Sequence, residues 1–177
     1  MTDTLNAPET RLWTPDGFRQ DDWTHADDYA AEGTNSRIIL PLKAYLDMPA
    51  EERQRDRERI GVELAPGDPL DAIIEHLDGL ALVALSFPVF SDGRSFSKAD
   101  LLRSRHGFQG PVRATGQVLV DQLPHMLRVG FTEFEVSNKV LIERLEKGET
   151  GGIALHYQPA AKAAAETGGY SWRRTRQ

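Results

Sequence analysis

The sequence contains no cysteine. That excludes disulfides, thiolate nucleophiles, Cys-ligated iron–sulfur clusters and Cys-type zinc sites, so any redox work needs a borrowed cofactor or a partner. Aromatic side chains are sparse, at 8% of residues. No apolar run approaches the roughly 20 residues that cross a bilayer. The N-terminus lacks the charged start and apolar core of a secretory signal. These absences point to a cytoplasmic protein with no membrane partner. The histidines, His25, His76, His106, His125 and His156, show neither H-x-x-x-H nor HExxH spacing, so no metal site is expected. There is no Gly-x-Ser-x-Gly elbow, no Walker loop and no Gly-x-Gly-x-x-Gly. No intrinsic cofactor and no catalytic residue can therefore be assigned.

What remains is ordinary globular material. The 177 residues are 40% hydrophobic and 27% charged, enough for one domain with a real core. The net charge of −6 is uneven. Residues 1–33 hold Asp3, Glu9, Asp16, Asp21, Asp22, Asp27, Asp28 and Glu32 against only Arg11 and Arg19, so this segment accounts for the whole excess. An acidic balance argues against nucleic-acid binding, and Arg173, Arg174 and Arg176 read as a solvated end.

Residues 1–35 are polar and broken by Pro8, Pro15 and Gly17, without sustained periodicity. They read as a peripheral or partly disordered segment, pinned down by Trp13, Phe18, Trp23 and Tyr29. Residues 36–157 read as a single α/β domain and 158–177 as a tail. Ser36–Leu46 is a short strand interrupted by Pro41, and Met48–Arg59 a charged, solvated helix. Gly61–Ala65 is a strand, followed by a helix over Asp68–Leu77 with Asp68 as its cap. Leu80–Phe87 is a continuous apolar run of strand length, the pattern of a strand covered on both faces. Ser97–Arg105 is a helix in which Ser97 and Asp100 have capping-box spacing. Val112–Thr115 is a strand, and Gln117–Val129 is helical, kinked or restarting at Pro124. Phe131–Val136 is a strand, Asn138–Lys147 a helix, and Ile153–Tyr157 a last strand.

About four consecutive strand–helix units imply a parallel sheet, either an open sheet or a half-barrel. A half-barrel leaves an edge that a second copy would cover, which makes a homodimer one expectation. In such folds function gathers at the carboxyl ends of the strands. The longest of those connections, Phe87–Phe96, is also the most polar. Asp92-Gly93 is a turn pair, Ser95 and Ser97 lead into a helix whose free N–H groups suit an anion, and Arg94 adds positive charge. The turn and the cap already explain Asp92, Gly93 and Ser97, which leaves Arg94 over. Arg113 points the same way or is buried against Asp100 or Asp121, and Asp121 and Gln122 face the same mouth or the solvent.

The segments FPVFSDGRSFSKADLLRSRHGFQGPVRATGQVLVDQL (87–123) and RVGFTEFEV (128–136) carry a recognisable pattern. It runs through Phe87, Pro88, Phe90, Asp92, Gly93, Arg94, Phe96 and Ser97, then Arg103, Gly107, Gly110, Arg113, Gly116, Asp121 and Gln122, and ends at Gly130 and Phe131. This stretch resembles the bacterial domain-of-unknown-function family 934, with Pro124 standing where an apolar residue is expected. The resemblance implies an association with assimilatory sulfite reductase and with sulfur assimilation and cysteine biosynthesis, and a description as an oxidoreductase. It supplies no catalytic residue.

Three functions follow as expectations. The first is an accessory protein of assimilatory sulfite reduction, partnering sulfite reductase or another sulfur-assimilation enzyme in electron delivery or assembly. The second is a small-molecule enzyme or anion-binding domain built on Asp92, Gly93, Arg94, Ser95 and Ser97 with Arg113, Asp121 and Gln122. The third is a homo-oligomeric scaffold.

Overall fold

The computed structural model describes residues 10–29 and 36–151. The strand expected at 153–157 and the tail 158–177 lie outside the described residues. The chain forms one eight-stranded sheet. Its strands are β1 (Arg11–Thr14), β2 (Gly17–Arg19), β3 (Trp23–His25), β4 (Arg37–Pro41), β5 (Ile60–Leu64), β6 (Leu82–Phe87), β7 (Val112–Gly116) and β8 (Glu133–Val136). Their order across the sheet is β2-β1-β8-β7-β6-β5-β4-β3.

From β3 to β8 every neighbouring pair is parallel and every step goes to the next strand in sequence. That uninterrupted order has no reversal point, so right-handed crossovers place all the connecting helices on one face. The helices are α1 (Leu42–Asp47), α2 (Ala50–Arg55), α3 (Arg94–Ser104), α4 (Leu123–Val129) and α5 (Lys139–Glu146), with a 3-10 segment at Leu70–Gly79. Alternate strand residues meet them in the main core: Val62 and Leu64, Val83, Leu85 and Phe87, Ala114, Phe134 and Val136 pack with Ile73, Ala99, Leu102, Met126 and Leu141. Burying each of the large side chains contributes about 1.5–3 kcal/mol. Helix α2 buries nothing, which agrees with its charged sequence.

The parallel α/β repeat is therefore present, but the sheet is mixed. β1 runs antiparallel to both β2 and β8. Residues 11–25 thus supply three strands, where the sequence points to a peripheral segment. Trp13 is core, 5.4 Å ring to ring from Phe134. The two edge strands of the sheet, β2 and β3, are consecutive in the chain, with only Gln20, Asp21 and Asp22 between them. Arg19 and Trp23 can stand no more than about 14 Å apart across such a link. The sheet must consequently curl until its edges face each other, giving an open half-barrel with a concave face opposite the helices.

Local chemistry accounts for the boundaries that differ from expectation. Pro41 ends β4, and α1 starts directly after it. Asp68 does not cap the following helix; its carboxylate accepts from Ala65 N at 2.8 Å and closes the turn, and the 3-10 segment begins after Pro69. Helix α3 begins at Arg94, ahead of Ser97, so Ser97 lies inside its first turn. Pro124 sits in the first turn of α4, where its missing N–H costs nothing, so the restart reading holds rather than the kink. Asn138 caps α5 by accepting from Leu141 N at 3.1 Å. Arg103 explains the glycine at 130. Its guanidinium donates to the carbonyls of Phe108, Gly110 (2.8 Å) and Gly130 (3.0 Å), and a Cβ at Gly130 would lie 2.4 Å from Arg103 Cγ.

Candidate functional site

The β6–α3 connection is an exposed loop. Asp92 makes both ends of its carboxylate available to Arg94: Arg94 Nε donates to Oδ1 at 3.0 Å, Nη2 to Oδ2 at 2.7 Å, and the Arg94 backbone N–H to Oδ1 at 3.2 Å. These hydrogen bonds from Arg94 hold the Asp92 carboxyl down at about 2. Arg94 remains 64% exposed and is not left over. Ser95 is buried and donates to the Ser86 carbonyl at 2.8 Å, tying α3 to β6. Lys98, also buried, donates to the carbonyls of Ala65 and Pro66. Gly93 and Ser97 are exposed, as is Asp121.

The tip of this loop is braced from a second connection. Gln117 Oε1 accepts from Phe90 N at 3.3 Å, and Gln122 Nε2 donates to the Phe90 carbonyl at 2.7 Å. Gly116 makes the brace possible. Its φ of +82° suits glycine, and a Cβ there would lie 2.5 Å from the Phe87 carbonyl oxygen. Gln117 N then reaches that same carbonyl at 2.8 Å. The result is a fixed backbone carrying two outward apolar side chains, Val89 at 49% and Phe90 at 56% exposure.

Arg113 goes elsewhere. Because strand residues alternate faces, it lies on the concave side of β7, opposite α3, and pairs with neither Asp100 nor Asp121. It is fully buried and holds Asp21 at 2.8 and 3.0 Å, Glu133 at 2.8 Å and Glu135 at 3.1 Å. Beside it, His25 Nε2 is 2.8 Å from Glu135, and His25 Nδ1 is 4.0 Å from Glu63. Thr115 donates to Glu63. The hydrogen bond with Glu135 raises the His25 pKa above its ordinary value, against the opposing effect of burial. Burial pushes the Glu135 carboxyl up, but the hydrogen bonds and charges of His25 and Arg113 outweigh it and leave it lowered. Deeper in the curl the face turns apolar. Ile39, Leu82 and Ala84 pack under Trp23, and a Cβ on Gly61 would meet Leu82 at 3.1 Å. Beside the Arg113 cluster His25, at the end of β3, and Glu135 form a partly exposed acid–base pair.

Sequence reasoning singled out Arg113 but missed Asp21, His25, Glu63, Glu133 and Glu135. A signal for them exists. GVEL, VRAT and FTEFEV place charges at alternate positions of strands that a parallel sheet buries on both faces, and a charge there needs partners.

The fold and these two features define an α/β protein with a curled, mostly parallel sheet, an inward ionic cluster and an outward braced loop. The family described as "Bacterial protein of unknown function (DUF934)" matches residues 61–167, more than half of the 177-residue chain. The chain belongs to that family. No curated protein matches it. The matched segment begins at β5, so Asp21 and His25 lie ahead of it.

Proposed function

We propose that this protein is an accessory component of assimilatory sulfite reduction, acting in the cytoplasm as a partner of sulfite reductase in electron delivery or assembly. Membership of the family supports the reading through the association with sulfite reduction that the resemblance implies. The absence of cysteine supports it too, because the chain has no thiolate and no Cys-ligated cluster with which to carry electrons alone. The oxidoreductase description then refers to the complex. One observation carries the proposal. The densest stretch of the sequence pattern braces an exposed loop, with Asp92, Arg94 and Gln122 engaged by their own neighbours and Phe90 turned to solvent. That is the construction of a docking element.

The test is genetic and direct. A strain lacking the gene should grow poorly on sulfate and recover on sulfide, and the purified chain should bind sulfite reductase from the same bacterium. Normal growth on sulfate would sink the reading. A second reading, a small-molecule enzyme, draws on the His25–Glu135 pair at the mouth of the curl. It moves the small-molecule site from the loop around Asp92–Ser97 to this pair, requires a ligand whose binding shifts the His25 imidazole resonances, and would be removed by their indifference to sulfite, sulfate, phosphate and nucleotides.

A further inference from the structure

We infer that residues 20–25 form a proton-controlled strap across the concave face, held shut by His25 while its imidazole carries both protons and loosened when it carries one. The strap is a property of the fold and stands or falls independently of the accessory reading.

Topology shows that the contact is a crossing one. Within the sheet β4, β5, β6 and β7 separate β3 from β8. His25 Nε2 nevertheless lies 2.8 Å from Glu135 of β8, so this tie spans the curl instead of following the ladder. Asp21, in the link just before β3, makes a second crossing tie to Arg113 of β7, at 2.8 and 3.0 Å. The two ties differ in how they respond to pH. A guanidinium keeps its charge, whereas an imidazole changes its own near neutrality. β3 is an edge strand of three residues, so the ties matter to its position.

The geometry around His25 suits the doubly protonated ring. Nε2 meets Glu135, and Nδ1 stands 4.0 Å from Glu63 of β5, whose other oxygen accepts from Thr115 of β7. A neutral ring has one N–H and turns a lone pair toward one of these carboxylates; the charged ring points a donor at each. The raised pKa of His25, set first by its hydrogen bond with Glu135, agrees with this. Other charges nearby are Arg113, which opposes the proton, and Glu133 and Asp21, which Arg113 holds. On β4, Arg37 is taken up by the Trp23 ring, 5.7 Å from its centroid, and Ile39 stands opposite His25 in the ladder. On β1, Leu12 stands opposite Glu135. Loss of the proton therefore leaves the carboxylates of Asp21, Glu63, Glu133 and Glu135 with Arg113 as their cation, and repulsion across the curl grows. Trp23 shares the face of His25 and packs on Ile39, Leu82 and Ala84, so a loosened strap uncovers that apolar patch.

Hydrogen–deuterium exchange of the full chain, measured at about pH 6 and about pH 9 and corrected for the intrinsic pH dependence of amide exchange, tests the strap. Backbone amides of residues 23–26 should exchange about tenfold faster at the higher pH, the scale of the difference between a charged and a neutral hydrogen bond. At both pH values they should exchange faster than Leu82–Phe87 and ignore low urea, because a strap opens without exposing much surface. His25→Gln should exchange fast at both pH values; His25 is 43% exposed, so the change leaves the core intact. Three results would each overturn the strap: no pH step in the wild type, a step that survives in His25→Gln, or amides at 23–26 that match Leu82–Phe87 in rate and urea dependence. The last would mean that these residues open only when the whole chain unfolds.

Discussion

Arg113 and Arg94 both hold carboxylates in this fold, and their surroundings differ in every respect that sets the strength of an ion pair. Arg113 is fully buried inside the curl, shared among Asp21, Glu133 and Glu135, and joins parts of the chain far apart in sequence. Arg94 is largely exposed, faces one carboxylate two residues away, and joins a loop to itself. Coulomb attraction strengthens as water is excluded, yet so does the cost of stranding a charge. The first cluster therefore ties the sheet shut, while the second shapes a loop at little energetic consequence. Similar side-chain chemistry serves closure in one place and presentation in the other.

The contrast is broken most sharply at Arg113. Arg113→Ala strands carboxylates in the curl and should cost about 3–5 kcal/mol in urea unfolding; a loss below about 1 kcal/mol would mean that the cluster does not hold the sheet together. Next in size is Gly116→Ala. Its Cβ would press on the Phe87 carbonyl at 2.5 Å with φ at +82°, and a cost of about 1–3 kcal/mol should appear in thermal unfolding.

His25 sharpens the contrast through pH. Its folded pKa is raised above 6.5, so its contribution is fully present below pH 6.5 and is lost as pH rises through the folded value. The folded pKa of Glu135 is lowered, so its contribution is present above 4.5 and is lost as pH falls through the folded value. The pair is strongest between those limits. Urea midpoints should fall as pH rises above 6.5 and through the folded value, and His25→Gln should flatten that slope. Smallest of all, Arg94→Ala should leave the urea midpoint where it is, because the pair it removes is screened by water.

The parallel half of the molecule is legible in the sequence because its signals are local. Leu82–Phe87 is an apolar run, Gly130 and Asn138 punctuate helices, and Pro124 marks a first turn. The N-terminal strands leave no such mark. Gly17–Arg19 and Trp23–His25 are too short to show a period; a hairpin with the adjacent Arg11–Thr14 defines the first, and a ladder to Arg37–Pro41 the second. The loop around Asp92 is visible for the same reason that the helices are, since its turn and its pairing lie within neighbouring residues. The ionic cluster draws on positions 21, 25, 63, 113, 133 and 135, and its members meet only once the sheet has curled. Charges alternating inside buried strands are the one trace that it leaves in the sequence.

The antiparallel partnership of β1 with β8 also orders events during synthesis. Arg11 stands opposite Val136, and Trp13 opposite Phe134. Strand β1 is ready once Arg11–Thr14 is made, but the strand β8 that receives it is made more than a hundred residues later. Until then Trp13 has no core to enter and Asp21 no arginine to meet. Strand β1 is made long before β8 yet can pair only after it, and the high loop-closure cost of that pairing should make it a slow step of folding. A chaperone that shields this acidic, tryptophan-bearing segment while the parallel strands assemble would act on the interval when the chain is most exposed.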